Sequence, residues 1–594
     1  MASFPMSLEV CLNASAESAN PSALTPSASI RLITPQASLQ DHERCSVVSE
    51  DALVEIQVLS DQALSDNVEN ESAPSSELAT GLATGLSDDT VASPLERSPI
   101  RLLHLETANQ LIGRALQLSF GSHQTLSDDN PGTGSQVYYG EIDWGITDEV
   151  QLSLSGHVYD DPPISAINGE RQNITFTSLS ASVRYRLLNS EQLALGVQGA
   201  LETLAFSSDL FDSADGDANI VGAVHLPLTY TVSPDLQLHL TPGVSFLPGQ
   251  LNGSEFYDTL FTVGSGVSWQ PSEQWLLYGA LNAPLGPGGN TIESDQDIDR
   301  QLVWSLGTRY NVTPRTGINL YATNGWGVTP ATAILASVPG GDDLLLGVEV
   351  QYTPDTGLGY RDRFGDEARA PFTARDRQLM LDGITLANGH TLAPGNVAIS
   401  AGAATQGQLY GKLVYSPDEA LQFEFSAEDA GDIDQVIDDT TAINEAVRYA
   451  VGGRVQLLDQ RLGDVVSLSA RILAGRDVDD EVGVLFADLP LTYEVNSQLA
   501  VLVDPKIALS GVDDRAGLGL GVNYEVVEGL QLIGEVTPVF GGDRTIWALG
   551  TRYGFAQNGL SLELYGTNAV GRHGVGTLVG EDDARFGAGL IWVV

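Results

Sequence analysis

Residues 101–594 predict an all-β fold of antiparallel, up-and-down strands that close on themselves, built twice along the chain. Three observations carry this: a duplication, a period of two inside its blocks, and connections that alternate short and long. VWSLGTRY (303–310) returns as IWALGTRY (546–553). Around it, INLYATNGWG (318–327) parallels LELYGTNAVG (562–571), and GVSWQPSEQWLLYG (266–279) parallels GVNYEVVEGLQLIG (521–534). LPLTYTVSPDLQLHLTPGVSF (226–246) parallels LPLTYEVNSQLAVLVDPKIAL (489–509), and YYGEIDWGITDEVQLSL faces LYGKLVYSPDEALQFEF. Matching blocks in the same order make an internal repeat, and such repeats report architecture before any single residue does. The offset falls from 263 (489 against 226) to 255 (521 against 266) to 243 (546 against 303), so copy two has lost residues at discrete places, expected to be loops.

Within blocks the period is two. Leu236, Leu238 and Leu240 alternate with Gln237, His239 and Thr241; Leu499, Val501 and Val503 hold the same places in copy two. Leu421, Phe423 and Phe425 against Gln422 and Glu424 repeat the pattern. One face is kept apolar while the other drifts, as strands with one apolar and one polar face require. Pro242 and Pro505 align inside strands, and a residue without an N–H there predicts a bulge or strand-end irregularity. From a first strand near 114–120 the chain passes a long polar loop, 121–136, then the short turn GITDE, then DDPPISAINGERQN. LNSEQ, TVSPD, QPSEQ and NVTPRTG are the later short turns, separated by long connections that end with 325–342. Copy two repeats the alternation with SPDEA, LDQRLGD, EVNSQ, EVVEG and FAQNG.

Tight turns on one side and long loops on the other fit strands that cross a bilayer. Backbone groups in hydrocarbon must all be paired, so such a sheet closes, with about 9–11 residues per tilted strand. The pattern over 105–594 resembles bacterial outer-membrane β-barrel proteins of the porin-like class. Its C-terminal ARFGAGLIWVV, with Phe586, Ala588, Leu590, Trp592 and Val594 on one face, resembles the closing strand that the barrel-assembly machinery reads, although the last residue is Val. The resemblance implies an outer-membrane location, lipid as partner, and the function of a passive pore or export conduit for small solutes or polysaccharide. The expected organisation is an N-terminal segment (1–100), copy one (101–353), a linker (354–384) and copy two (385–594). Two 12-stranded barrels in tandem are the preferred closure; one barrel of about 24 strands is the alternative. The tandem is similar in architecture to exopolysaccharide-export outer-membrane proteins.

The net charge of −49 argues against nucleic-acid binding. The only lysines are Lys412 and Lys506. Cys11 and Cys45 both lie in the Ser-, Ala- and acid-rich first 100 residues, read as disordered tail or linker, where no clear signal peptide is visible. No apolar run is long enough for a transmembrane helix. No catalytic motif is present, so no enzyme, cofactor or metal residues are expected. His157, His239 and His390 share no metal spacing; the first two are expected on the wet face. The acidic runs 212–219, 293–299 and 432–439 read as solvated loops, with bridging by divalent cations as the sharper reading. Trp144, Trp269, Trp275, Trp304, Trp326, Trp547 and Trp592 are expected in interfacial girdles. Lumen-facing Glu424 and Glu563 predict cation preference. A structural or adhesive barrel without conductance and a soluble β-sheet protein are the competing readings.

Overall fold

A computed structural model describes residues 93–96, 98–125, 136–160, 166–169, 174–208, 213–365, 371–431, 447–477, 483–510, 514–540, 544–555 and 559–594. The expectations for residues 1–92 and for the acidic run 432–439 fall outside the described residues. Copy one supplies twelve staves: β1 (Leu116–Thr125), β2 (Gln136–Gly145), β3 (Val150–Asp160), β4 (Ile174–Asn189), β5 (Leu193–Ser208), β6 (Ser213–His225 continued by Leu228–Ser233), β7 (Leu236–Phe246), β8 (Leu260–Trp269), β9 (Trp275–Pro287), β10 (Val303–Asn311), β11 (Thr316–Thr323) and β12 (Leu345–Tyr352). Copy two supplies β13 (Val397–Ala404), β14 (Leu409–Asp418), β15 (Leu421–Asp429), β16 (Val447–Leu458), β17 (Ser467–Asp477), β18 (Gly483–Asp488 continued by Leu491–Glu494), β19 (Leu499–Ser510), β20 (Arg515–Val527), β21 (Leu530–Phe540), β22 (Thr545–Phe555), β23 (Leu560–Ala569) and β24 (Gly580–Val593). The matching repeat blocks fall on staves twelve places apart, as β10 and β22 show.

Neighbouring staves pair antiparallel in chain order, and each copy closes on itself. In the first barrel Leu345 faces Thr125 and Tyr352 faces Leu118; in the second Ala398 faces Val593 and Ala404 faces Gly587. The chain therefore forms two 12-stranded barrels, and the single 24-stranded ring is excluded. β4 and β5, at 16 residues each, outrun the hydrocarbon, and β1 continues to Thr125 through sequence expected as loop. Ladder hydrogen bonds continue wherever two polar loop ends stay side by side, so polarity marks where the membrane ends, not where pairing does. Pro242 and Pro505 lie inside β7 and β19, beside the breaks at Leu226–Pro227 and Leu489–Pro490 in the preceding staves. The freed N–H of Leu226 donates to Pro242 O (2.9 Å), and Leu489 N–H to Pro505 O (3.0 Å).

The side-chain distribution is the reverse of a soluble protein's. Outward positions carry Leu179, Leu201, Ile220, Leu306 and Leu549, all exposed, while inward neighbours such as Ser178, Ser180, Glu202, Arg309 and Arg552 are buried. Leaving a large aliphatic side chain in water forfeits roughly 1.5–3 kcal/mol each, so a wall of them is stable only against hydrocarbon. In the repeated octapeptides Leu306 and Leu549 are both 64% exposed, with Trp304 and Trp547 on the same face. Leu549→Arg, at the middle of β22, should cost about 2–4 kcal/mol of folding free energy in vesicles. A cost below about 0.5 kcal/mol, the usual scale of a surface substitution, would place that face in water.

Six of the seven tryptophans lie near strand ends on outward faces, as girdles do. Trp326 does not: it is 1% exposed inside the first barrel, because the connection after β11 folds inward. Phe586, Leu590, Trp592 and Val594 all face outward on the closing strand.

Candidate functional site: two occupied lumens

Both barrels are filled by their own chain. In the first, the segment before β1 forms a short hairpin, Arg101–Leu102 with Leu105–Glu106, inside the wall. Leu102 and Leu105 pack on Leu276, Tyr278 and Tyr321. Arg101 is ion-paired with Glu106 and Glu141, and Arg184 with Glu106. Arg184 of β4 also donates to the carbonyls of Ile100 (3.2 Å) and Asn109 (2.9 Å). Gln151 of β3 accepts from Leu111 N–H (3.0 Å), and Thr241 donates to Glu106 O (2.7 Å). A second piece enters from the long-loop side. Glu202 accepts from Ala331 N–H and from the Thr329 hydroxyl, and Trp326 sits among Tyr159, Phe176 and His157. The two pieces meet where His104 Nδ1 lies 2.8 Å from Gly327 O.

The second barrel repeats the plan with different residues. Asp382 is held by Lys412 (2.8 Å) and both oxygens by Arg454 (2.9 and 3.0 Å). Arg454 of β16 also donates to the carbonyls of Asn388 (3.2 Å) and His390 (3.0 Å). Gln422 of β15 accepts from Leu392 N–H (2.9 Å). Glu535 accepts from Ile384 N–H (2.7 Å) and Thr385 N–H (2.6 Å), and Lys506 donates to Thr385 O (2.9 Å). From the long-loop side, Glu428 accepts from Arg572 N–H (2.9 Å), and the Arg572 guanidinium reaches Ile384 O (2.7 Å) and Glu563 (3.0 Å).

The correspondence is specific. Gln151 and Arg184 face each other across β3 and β4, and Gln422 and Arg454 face each other across β15 and β16. In each copy the Arg takes plug carbonyls and the Gln takes a plug N–H. The octapeptide arginines serve the same end: Arg309 donates to Leu95 O (3.3 Å), and Arg552 to Asp382 O. The preceding glycines make room. A Cβ on Gly307 would stand 2.3 Å from the Tyr278 ring, and one on Gly550 2.8 Å from Ile384 of the plug.

Glu424 and Glu563 do face inward, but each is paired with cations. Glu424 meets Lys412 (2.7 Å) and Arg454 (3.0 Å); Glu563 meets Arg552 (3.1 Å) and Arg572. The two walls differ in charge. Buried cations on the second barrel's staves are Lys412, Arg448, Arg454, Arg471, Lys506, Arg515, Arg552 and Arg585, against Asp418, Glu424, Glu428, Asp488, Asp504, Glu535, Glu563 and Glu581; of these acids Asp418 pairs with Arg315 of the first barrel. The first wall buries Arg184 and Arg309 against Asp143, Glu202 and Glu349, with Glu141 half-buried beside them. His157 and His239 face inward and His390 belongs to the second plug; all three are buried. Among the described residues no group of three His, Cys, Asp or Glu is arranged to hold a metal ion.

No known protein family matches the sequence, and no curated protein sequence matches it. Solved structures do resemble it. The NanC porin is 13% identical with a TM-score of 0.26, covering 40% of this chain and 99% of its own. An outer-membrane channel from Pseudomonas putida is 14% identical with a TM-score of 0.32, covering 41% of this chain and 97% of its own. The siderophore receptor PirA from Pseudomonas aeruginosa is 6% identical with a TM-score of 0.21, covering 82% of this chain and 81% of its own.

Proposed function

We propose that this chain is an outer-membrane protein whose two barrels are channels held shut by their own N-terminal plugs. The observation that carries the reading is the repeated dock, Arg184 with Gln151 and Arg454 with Gln422, onto the segment that precedes each first stave. The plugs are tied to the wall largely by charged and polar contacts, which water can replace when a plug leaves; an apolar filling has no such exchange. Once open, each lumen is a polar conduit for small solutes or polysaccharide. Outward Phe586, Leu590 and Trp592 on the last stave support recognition by the barrel-assembly machinery.

The same closure favours one rival, a non-conducting anchor that displays its loops. Planar-bilayer recording separates them. The intact chain should pass almost no current. A chain whose residues 98–111 and 380–391 are replaced by Gly/Ser of equal length should show discrete channel steps. Silence from the replaced chain, with heat-modifiable gel mobility retained, would overturn closure by the N-terminal plugs.

A further inference from the structure

The two barrels touch directly over part of their walls. The Phe120 ring of β1 lies 5.4 Å from the Phe423 ring of β15, tilted against it, and rests against Gly453, where a Cβ would stand 3.1 Å from the Phe120 ring. Val350 and Tyr352 pack with Leu421 and Val455 in the same cluster. Polar ties hold this contact at the short turns: Arg315 pairs with Asp418 (2.6 Å), and the Tyr352 hydroxyl donates to Pro417 O (3.3 Å). Beside this contact the walls part and leave a groove of about 1000 Å³. Its sides are outward residues of both barrels, among them Ile318, Leu320 and Val348 of the first and Val451, Ile472 and Ile507 of the second.

We infer that this groove holds the acyl chains of a resident membrane lipid. The inference rests on the membrane-spanning reading, since both walls continue the outward faces that meet hydrocarbon. The direct contact beside the groove keeps the walls apart, so it cannot close by side-chain collapse. Water has too few partners on these aliphatic walls to fill it. An empty groove would forfeit dispersion contacts along both sides. Acyl chains are the matter available at that depth, and their chemistry matches the lining.

The test is lipid analysis of the full chain purified from membranes in mild detergent and washed extensively. At least one phospholipid per chain should remain. Val348→Trp with Ile472→Trp, which fills the groove, should lose it, while Leu179→Trp with Leu201→Trp, equally outward but elsewhere on the first wall, should keep it. Should the groove-filled chain fail to fold, spin-labelled phospholipid bound to the unaltered chain should show a motionally restricted component that survives the wash. Complete delipidation of the intact chain, or equal retention after groove filling, overturns the inference. Recovery of the chain in the soluble fraction without detergent is a different result and overturns the membrane reading itself.

Discussion

Arg454→Met is expected to destabilise the second barrel by about 3–5 kcal/mol, the scale for removing one partner of a buried charged network. The guanidinium is fully buried and is shared by Asp382, Glu424 and the carbonyls of Asn388 and His390. Without it the carboxylates keep Lys412 and Arg471, which moves the charge cost toward the lower end of that range. Of the two plug carbonyls, Asn388 O keeps only the Ser469 hydroxyl (3.4 Å) and His390 O loses the Arg454 donor, and a buried acceptor left without a donor costs about 1–3 kcal/mol. Arg454→Lys should fall between, because an ammonium keeps the charge but loses the planar fork that spans carboxylate and carbonyl together. Arg184→Met is the matched experiment on the first barrel, where Glu106 and Asn109 O would lose the same contacts. Urea unfolding in vesicles, followed by loss of heat-modifiable mobility, reads all three. A change below about 1 kcal/mol for Arg454→Met would mean that the plug is held by something other than this dock.

The dock was within reach of the sequence, but on the face usually ignored. Strand faces that meet lipid are kept apolar by the bilayer, so Leu499, Val501 and Val503 repeat Leu236, Leu238 and Leu240 for a reason that says nothing about function. The inward face is free to drift, as His239 against Leu502 illustrates. Identity between the copies on that drifting face is therefore the informative signal. Gln151 with Gln422, and the Arg of LGTRY at 309 and 552, are such identities, and both turn out to touch the plugs. Arg184 and Arg454 could not be matched from the sequence, because the surrounding strands share no block.

The architecture itself followed from periodicity and loop lengths, since a bilayer imposes both. Closure did not. Whether β12 returns to β1 or runs on to β13 depends on strand tilt and stagger around the ring, which no local pattern encodes. Trp326 failed as a girdle residue for a related reason. Aromatics near strand ends read alike whether their loop turns out to the interface or back into the lumen, and the inward partners His157 and Phe176 lie far away in sequence.

Opening one barrel at a time should give currents of opposite selectivity. With residues 98–111 replaced by Gly/Ser, the first lumen loses Arg101 and Glu106 together and keeps Glu141, Asp143, Glu202 and Glu349 against Arg184 and Arg309. Net negative charge on a confined wall raises the local concentration of cations, so the reversal potential in a salt gradient should have the cation-selective sign. With residues 380–391 replaced, the second lumen loses Asp382, the acid that Lys412 and Arg454 share. With Asp418 already paired to Arg315 of the first barrel, its wall cations then outnumber its remaining wall carboxylates, and Arg572 remains on its own loop. The reversal potential should shift to the anion-selective sign. The cation preference expected from Glu424 and Glu563 would thus hold for the other barrel and for other acids, because those two are already neutralised where they sit. Sequence alone weighs acids as if each acted freely in the lumen; pairing across the wall decides which of them a passing ion would meet. Cation selectivity in both singly opened chains would mean that the loop acids, not the walls, set the field.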